Sequence, residues 1–294
     1  MMRRIGYFLV YPVLILISLM PFWVLYGLSN ILFLFLYYIL QYRKNLVWKN
    51  LQRSFPDKTE NEISIIRKQF FRYLADTILE TIKTFTISHA KLASRFALPN
   101  LELVEEQLKK GRNVMIVLGH YGNWEWGAGA LGRFTHYPVT APFTPLRHPD
   151  FNRLMVRTRE RYGINLLPKK LLIPYLSERK DKQHYLALIA DQSPNPKKFH
   201  LIQFMNQETA VVKGMENIAR EYHFTVFFAS IRYIRRGYYD ATFELLTEDA
   251  ANMHEGSLTA NFMHVLQRDI QRDPIHYLWS HDRWKLTTNK KQKH

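Results

Sequence analysis

Between Ile5 and Tyr42 the chain carries no charged residue, and the stretch is bounded by Arg3 and Arg4 on one side and Arg43 and Lys44 on the other. A helix needs about 20 apolar residues to cross the hydrocarbon core of a bilayer. The run exceeds that length, so a membrane-embedded segment is expected. Two other readings compete with it: a cleaved leader and a helix buried in a soluble protein. A leader has an apolar core of about 7–15 residues followed by a small-residue cleavage site. Here bulky residues continue through Ile31-Leu-Phe-Leu-Phe-Leu-Tyr-Tyr38 and no such site follows. Pro12 and Pro21 each break or kink a helix, and Gly27, Ser29 and Asn30 suit a turn. One kinked span, a re-entrant hairpin and a helix lying in the interface all fit that pattern. Flanking charge at both ends leaves orientation open, while Trp23, Tyr37, Tyr38 and Trp48 suit headgroup depth.

No second stretch beyond Tyr42 is long and apolar enough to span. The expected division is an anchor over 1–44, a globular domain over 45–288 and a basic, disordered tail over 289–294. With 47% apolar and 14% aromatic residues in 294, a sizeable core can form, which excludes disordered and collagen-like chains. The absence of cysteine removes disulfides, thiolate metal sites and a cysteine nucleophile. Lys and Arg total 41 against 25 Asp and Glu, a net charge of +16. Such a surplus calls for an anionic partner: nucleic acid, an anionic membrane face or an acidic carrier protein. Arg43, Lys44, Lys49 and Arg53 beside the anchor, Arg232, Arg235 and Arg236, and Lys197 with Lys198 are the basic groups to consider.

Apolar residues at Ile63, Ile66, Phe70, Leu74, Ile78 and Ile82 recur at steps of three and four and predict a helix over 60–85, with Thr59 and Glu62 as a capping box. A shorter helix is expected over 101–110. Val114–Leu118, Tyr185–Ala190 and Phe224–Ile231 are continuous apolar runs of strand length, as in a sheet covered on both faces. Tyr238–Leu246 reads as the hairpin partner of the third across Arg235-Arg236-Gly237. Helical patterns cover 150–162, 171–179, 211–222 and 257–272. Strands alternating with helices predict an α/β fold, with a mixed, mainly parallel central sheet flanked by helices and preceded by the membrane-embedded helical segment.

Ligands of open α/β sheets bind beyond the carboxyl ends of the strands. The first apolar run ends in Gly119-His120-Tyr121-Gly122-Asn123-Trp124-Glu125. The glycines permit a sharp turn, and His120 with a nearby carboxylate can act as a base and its orienter. No cysteine and no G-x-S-x-G elbow is present, so direct attack by a substrate hydroxyl is favoured over a covalent intermediate. A metal is disfavoured by the five-residue His–Glu spacing.

His120-x-x-x-x-Glu125, inside Leu-Gly-His-Tyr-Gly-Asn-Trp-Glu, resembles the H-x4-D/E motif of glycerolipid-type acyltransferases. More closely it resembles the lipid A biosynthesis (lauroyl/myristoyl) acyltransferase family of bacterial inner membranes. Further segments agree in order: Asn50-Leu51 through Phe55-Pro56, Arg159, Ala190-Asp191-Gln192, and Asp273-Pro274 through Trp279-Ser-His281-Asp-Arg283-Trp284-Lys285. The resemblance implies transfer of an acyl chain from a thioester, acyl carrier protein or acyl-CoA, to a hydroxyl of a lipid A precursor, with no other cofactor. It implies His120 as base and Glu125 as its orienter. Arg159 would bind phosphate or the tetrahedral oxyanion. Asn123, Asp191, Gln192 and Arg283 are the further substrate-binding candidates, although Asp191 suits a cap after its strand equally well. Partners would be acyl carrier protein, an anionic lipid and the membrane, with the catalytic domain on the cytoplasmic face of the bacterial inner membrane. Trp126 stands where family members often have a smaller residue.

Two readings compete. A glycerol-based lysophospholipid acyltransferase would use the same pair, but its F-P-E-G-T-R run is absent. A membrane-tethered binding protein would explain the charge but not a His and a Glu at a strand end. No RNA-binding aromatic signature or zinc-finger spacing supports a nucleic-acid partner.

Overall fold

The computed structural model describes residues 2–194 and 199–287. The tail expected at 289–294, and Lys197 with Lys198, lie outside the described residues. The elements follow as α1 (Met2–Leu19), α2 (Phe22–Leu34), α3 (Lys44–Ser54), α4 (Glu60–Lys83), α5 (His89–Ala93), β1 (Phe96–Ala97) and α6 (Glu102–Lys109). Then come β2 (Asn113–Leu118), α7 (Trp124–Phe134), β3 (Val139–Phe143), α8 (Pro149–Glu160), β4 (Ile164–Pro168), α9 (Leu172–Ser177) and β5 (Tyr185–Ile189). The hairpin β6 (His200–Phe204) and β7 (Gln207–Val211) stands apart, and α10 (Gly214–Glu221), β8 (Phe224–Arg235), β9 (Tyr238–Thr247) and α11 (Ser257–Arg272) follow.

Seven strands form one sheet in the order β1-β9-β8-β2-β5-β3-β4. Every pairing is parallel except the β8–β9 hairpin. This is the mixed, mainly parallel sheet expected from the apolar runs. Alternate residues of β2 feed opposite layers. Met115 and Val117 join a core with Phe70, Phe71 and Leu266 from α4 and α11, while Ile116 joins one with Val104 and Leu131 from α6 and α7. β3 and β4 were not evident in the sequence, because Pro142 and Pro168 interrupt them. β4 is the edge strand, and β3 pairs with β5 only at Thr140 and Leu186, so Pro142 stands outside that ladder.

The apolar N-terminal run folds as two helices that break at Met20-Pro21, while Pro12 is accommodated inside α1. A π-helical turn, Phe35–Ile39, continues α2. The segment Phe22–Ile39 is long and apolar enough to cross a membrane. One side of it is packed on the domain: Leu25, Ser29 and Phe33 are buried. Polar groups fasten the rest. The buried Lys83 ammonium donates to the carbonyls of Ser18 at 2.6 Å and Met20 at 2.7 Å, satisfying the open end of α1. Ser29 donates to Asp76, which also receives Arg236 from the β8–β9 turn. The other side is bare: Trp23 is 79% exposed and Ile39 72%.

The expected helix over 60–85 is α4, and its Thr59–Glu62 capping box is complete. Its last turns carry Glu80, whose side chain is fully buried. Burial pushes the Glu80 carboxyl up to about 7, even though Tyr239, Tyr26 and Asn123 donate hydrogen bonds to it. A folded-state value above the unfolded one means that the folded chain holds the proton more tightly. The stabilisation is therefore complete below about pH 4.5 and is lost as pH rises through about 7. A difference of this size corresponds to about 3 kcal/mol. Denaturant unfolding in detergent should show wild type losing stability relative to Glu80→Gln between pH 5 and pH 8. A pH-independent difference would show that Glu80 does not titrate there.

Candidate active site

Five parallel strands direct their carboxyl ends to one edge of the sheet, and the chemistry gathers there. β2 and β5 are neighbours in register, with Val117 opposite Leu188 and Leu118 opposite Ile189. The Ala190 amide still donates to the Leu118 carbonyl at 3.0 Å. Continued two residues further, the same register sets His120 beside Asp191. The His120 Nδ1 and Asp191 Oδ1 atoms are 2.6 Å apart. On the far side of the ring, the Gln192 amide nitrogen lies 3.1 Å from Nε2. The Trp124 indole packs edge-on against the imidazole, with centroids 5.0 Å apart.

This corrects one expectation. Glu125 does not orient His120. It lies on the first turn of α7 and is gripped by Arg159 of α8, whose Nη2 and Nε donate at 2.6 and 3.1 Å to its two oxygens. The five-residue spacing suggested proximity along the chain, but the strand register supplies His120 with a different carboxylate. Asp191, expected to support another site residue, to bind the acceptor or to cap the turn, holds the imidazole.

Asp191 is 2% exposed. Burial alone would push its carboxyl up. The His120 charge, the hydrogen bonds from His120 and the Arg283 guanidinium outweigh burial and hold it below the usual carboxylate range. Deprotonated and buried, it can accept from Nδ1–H and leave Nε2 as the working nitrogen.

Two further candidates do not reach the cavity. Asn123 is fully buried, caps α7 through the Trp126 amide at 3.0 Å, and donates to Glu80 at 2.7 Å. Arg283 is 2% exposed and donates to the Ala210 carbonyl at 2.7 Å. Both act on the structure of the site: Asn123 shapes the turn, and Arg283 places positive charge near Asp191. Trp126 is core as well, its indole N–H donating to the Glu80 carbonyl at 2.9 Å.

The sequence did not reveal what the C-terminal motif does. The His120 carbonyl accepts from the Leu278 amide at 3.1 Å, and the Gly122 amide donates to the His276 carbonyl at 3.0 Å. Ser193 donates its backbone N–H to His281 Nε2 at 3.3 Å and its hydroxyl to the Asp282 and Arg283 carbonyls. Residues 276–283 thus clamp both the turn that carries His120 and the loop that carries Asp191. Asn50 of α3 secures the clamp by donating to the Trp279 and His281 carbonyls. Gly122 has φ +65° and packs against Ile231 where any Cβ would collide. Only glycine fits this bend.

His120, Glu125, Arg159 and Gln192 line the mouth of a cavity of about 370 Å³. Its interior is apolar. The side of the sheet that faces α7 and α8 contributes Ala141, Ala187, Ala229 and Ala241, small residues on four strands that leave a hollow also lined by Leu131 and Phe243. The hollow can hold a hydrocarbon chain whose head lies at the imidazole. Among the basic residues expected to meet anions, Arg232 is paired with Asp240 and Arg236 with Asp76.

The family described as bacterial lipid A biosynthesis acyltransferase matches residues 1–286. The chain belongs to this family. A lipid A biosynthesis acyltransferase of Haemophilus influenzae is 21% identical over 252 residues, covering 85% of this chain and 79% of the relative. The lipid A biosynthesis palmitoleoyltransferase of Escherichia coli is 23% identical over 253 residues, covering 84% and 80%. The protein is an acyltransferase of lipid A biosynthesis, with a lipid substrate and a membrane setting.

His120→Ala should lower the transfer rate by about 10²–10⁴. Asp191→Asn should lower it by at least about 10², because an amide cannot stabilise the imidazolium. Wild-type rates in a folded Asp191→Asn protein would remove Asp191 from the mechanism. Arg159→Ala should lose at least as much activity as Glu125→Ala, with the double variant no worse than Arg159→Ala alone, as expected where the carboxylate acts by holding the guanidinium. Losses that add would assign the two residues separate tasks.

Proposed function

We propose that the protein moves a fatty acyl chain from an acyl carrier protein thioester to a hydroxyl of a lipid A precursor, at the cytoplasmic face of the inner membrane. The observation that carries this reading is the buried Asp191–His120 pair opening onto an apolar cavity. The acyl chain lies in the hollow of the sheet, with its thioester carbonyl at the mouth. The acceptor hydroxyl gives its proton to His120 Nε2 while its oxygen attacks the carbonyl carbon. Asp191, accepting from Nδ1–H, stabilises the imidazolium that results. The tetrahedral oxyanion collapses, the carbon–sulfur bond breaks, and the departing thiolate takes the proton back from Nε2. No covalent enzyme intermediate and no cofactor is needed. The Gln192 amide and the Arg159 guanidinium lie at the mouth, where donors can meet the oxyanion or a substrate phosphate.

The anchor serves the same chemistry. Helix α2 is fastened to α4 and to the β8–β9 turn by Asp76, Glu80 and Arg236. Crossing the bilayer would carry these ionisable groups into hydrocarbon, at a cost of several kcal/mol each. The helices α1 and α2 therefore lie in the membrane surface, bare side toward lipid. α1 touches α8, which forms one wall of the cavity. A lipid acceptor then reaches His120 without leaving the bilayer. The net charge of +16 draws in both an acidic carrier protein and an anionic lipid.

Purified protein in anionic vesicles should be given a series of acyl carrier protein thioesters and a lipid A precursor, and the lipids weighed by mass spectrometry. The expected product is the precursor plus one acyl chain, formed at least about 10²-fold more slowly with His120→Ala. Transfer only from acyl-CoA would overturn the donor assignment. Acylation of a lysophospholipid in place of the precursor would overturn the acceptor.

A further inference from the structure

The mechanism leaves unused the carboxylate of Glu80, fully buried on α4 at the meeting point of three parts of the molecule. Its Oε1 accepts from the Tyr26 hydroxyl at 2.8 Å, on the membrane-facing helix α2. Its Oε2 accepts from the Tyr239 hydroxyl of β9 and from the Asn123 amide, both at 2.7 Å. Its main-chain carbonyl accepts from the Trp126 indole at 2.9 Å. One residue thus holds the first turn of α7 at two points, through Asn123 and through Trp126. That turn carries Trp124, which packs on the His120 ring, and Glu125, which holds Arg159.

A carboxylate is an uncommon choice for such a place, since a buried charge costs more than a buried amide. A carboxyl group suits a place where several donors converge, because it offers two acceptor oxygens where an amide offers one. Tyr26, Tyr239 and Asn123 all point donors at it.

We infer that Glu80 is a positioning residue, tying the membrane-facing helix α2 to the catalytic turn through Tyr26 and Asn123 and so fixing where the His120 imidazole stands. It touches neither substrate nor the reacting atoms. The proposal rests on the reading of His120 as the base.

Asn123→Ser tests the link most directly. A serine oxygen can still cap the Trp126 amide, but the amide donor to Glu80 is gone. Steady-state kinetics in vesicles should show kcat lowered about 10-fold with KM for the lipid within about two-fold, a loss of transition-state alignment alone. Glu80→Ala should lower kcat about 10- to 100-fold, and Glu80→Gln, which still accepts from Asn123, should restore at least a third of wild-type kcat. Adding Asn123→Ser to Glu80→Ala should cost nothing further, since the second change breaks a link already lost. Tyr26→Phe, which removes only the helix-side donor, should lower kcat a few-fold without changing KM.

A merely structural role would lower the melting temperature of these variants and leave kcat per folded molecule at the wild-type value. That result, or fully additive losses in the double variant, would overturn the proposal. If Glu80→Ala does not accumulate as folded protein, Asn123→Ser, Glu80→Gln and Tyr26→Phe test the same link. His120→Ala is carried alongside. Wild-type-like activity in it would overturn the reading of the base, independently of how the Glu80 variants behave.

Discussion

The parallel register between β2 and β5 is the constraint on which the site depends. It sets the residues two positions past the end of each strand side by side, and those residues are His120 and Asp191. A buried carboxylate beside an imidazole is costly to hold unless it is paired. The protein answers with the Arg283 guanidinium, two strand ends and a C-terminal clamp that bonds to the turn and to the loop at once. The pieces are far apart in sequence, and the apolar layers on both faces of the sheet bring them together.

The cavity follows from the same sheet. Alanines on four of the strands leave room on the face covered by α7 and α8, and the mouth of that room is where the strands end. A site that handles a fatty acyl chain needs an apolar hollow and a polar mouth. Here the hollow is made by omitting side-chain volume from a layer that would otherwise be packed solid. The two N-terminal helices are built on the opposite logic. They press one side onto α4 through Lys83, Asp76 and Glu80, and leave the other side apolar and open.

Much of this was legible in the sequence. The helix α4 showed in its three-and-four periodicity and its capping box, because both are local properties of the chain. The buried strands β2, β5 and β8 were visible as unbroken apolar runs, since a strand covered on both faces has no polar side to show. The turn after β2 was visible because only glycine suits its bend at position 122. β3 and β4 were hidden by their prolines, which an edge strand and a short pairing tolerate. The hairpin β6–β7 was hidden because its first strand is largely exposed and carries no apolar run.

The sequence by itself determined the fold class, the uncharged apolar run at the N-terminus, the strand end that holds His120 and membership of a family of lipid A acyltransferases. Each of these is written in contiguous residues or in motifs that keep their order. Only the tertiary structure decided which carboxylate meets which base. Glu125 is five residues from His120 and turns to Arg159, while Asp191 is 71 residues away and meets the imidazole. Strand adjacency and register settle that choice, and they are products of how the whole sheet packs rather than of any segment read alone.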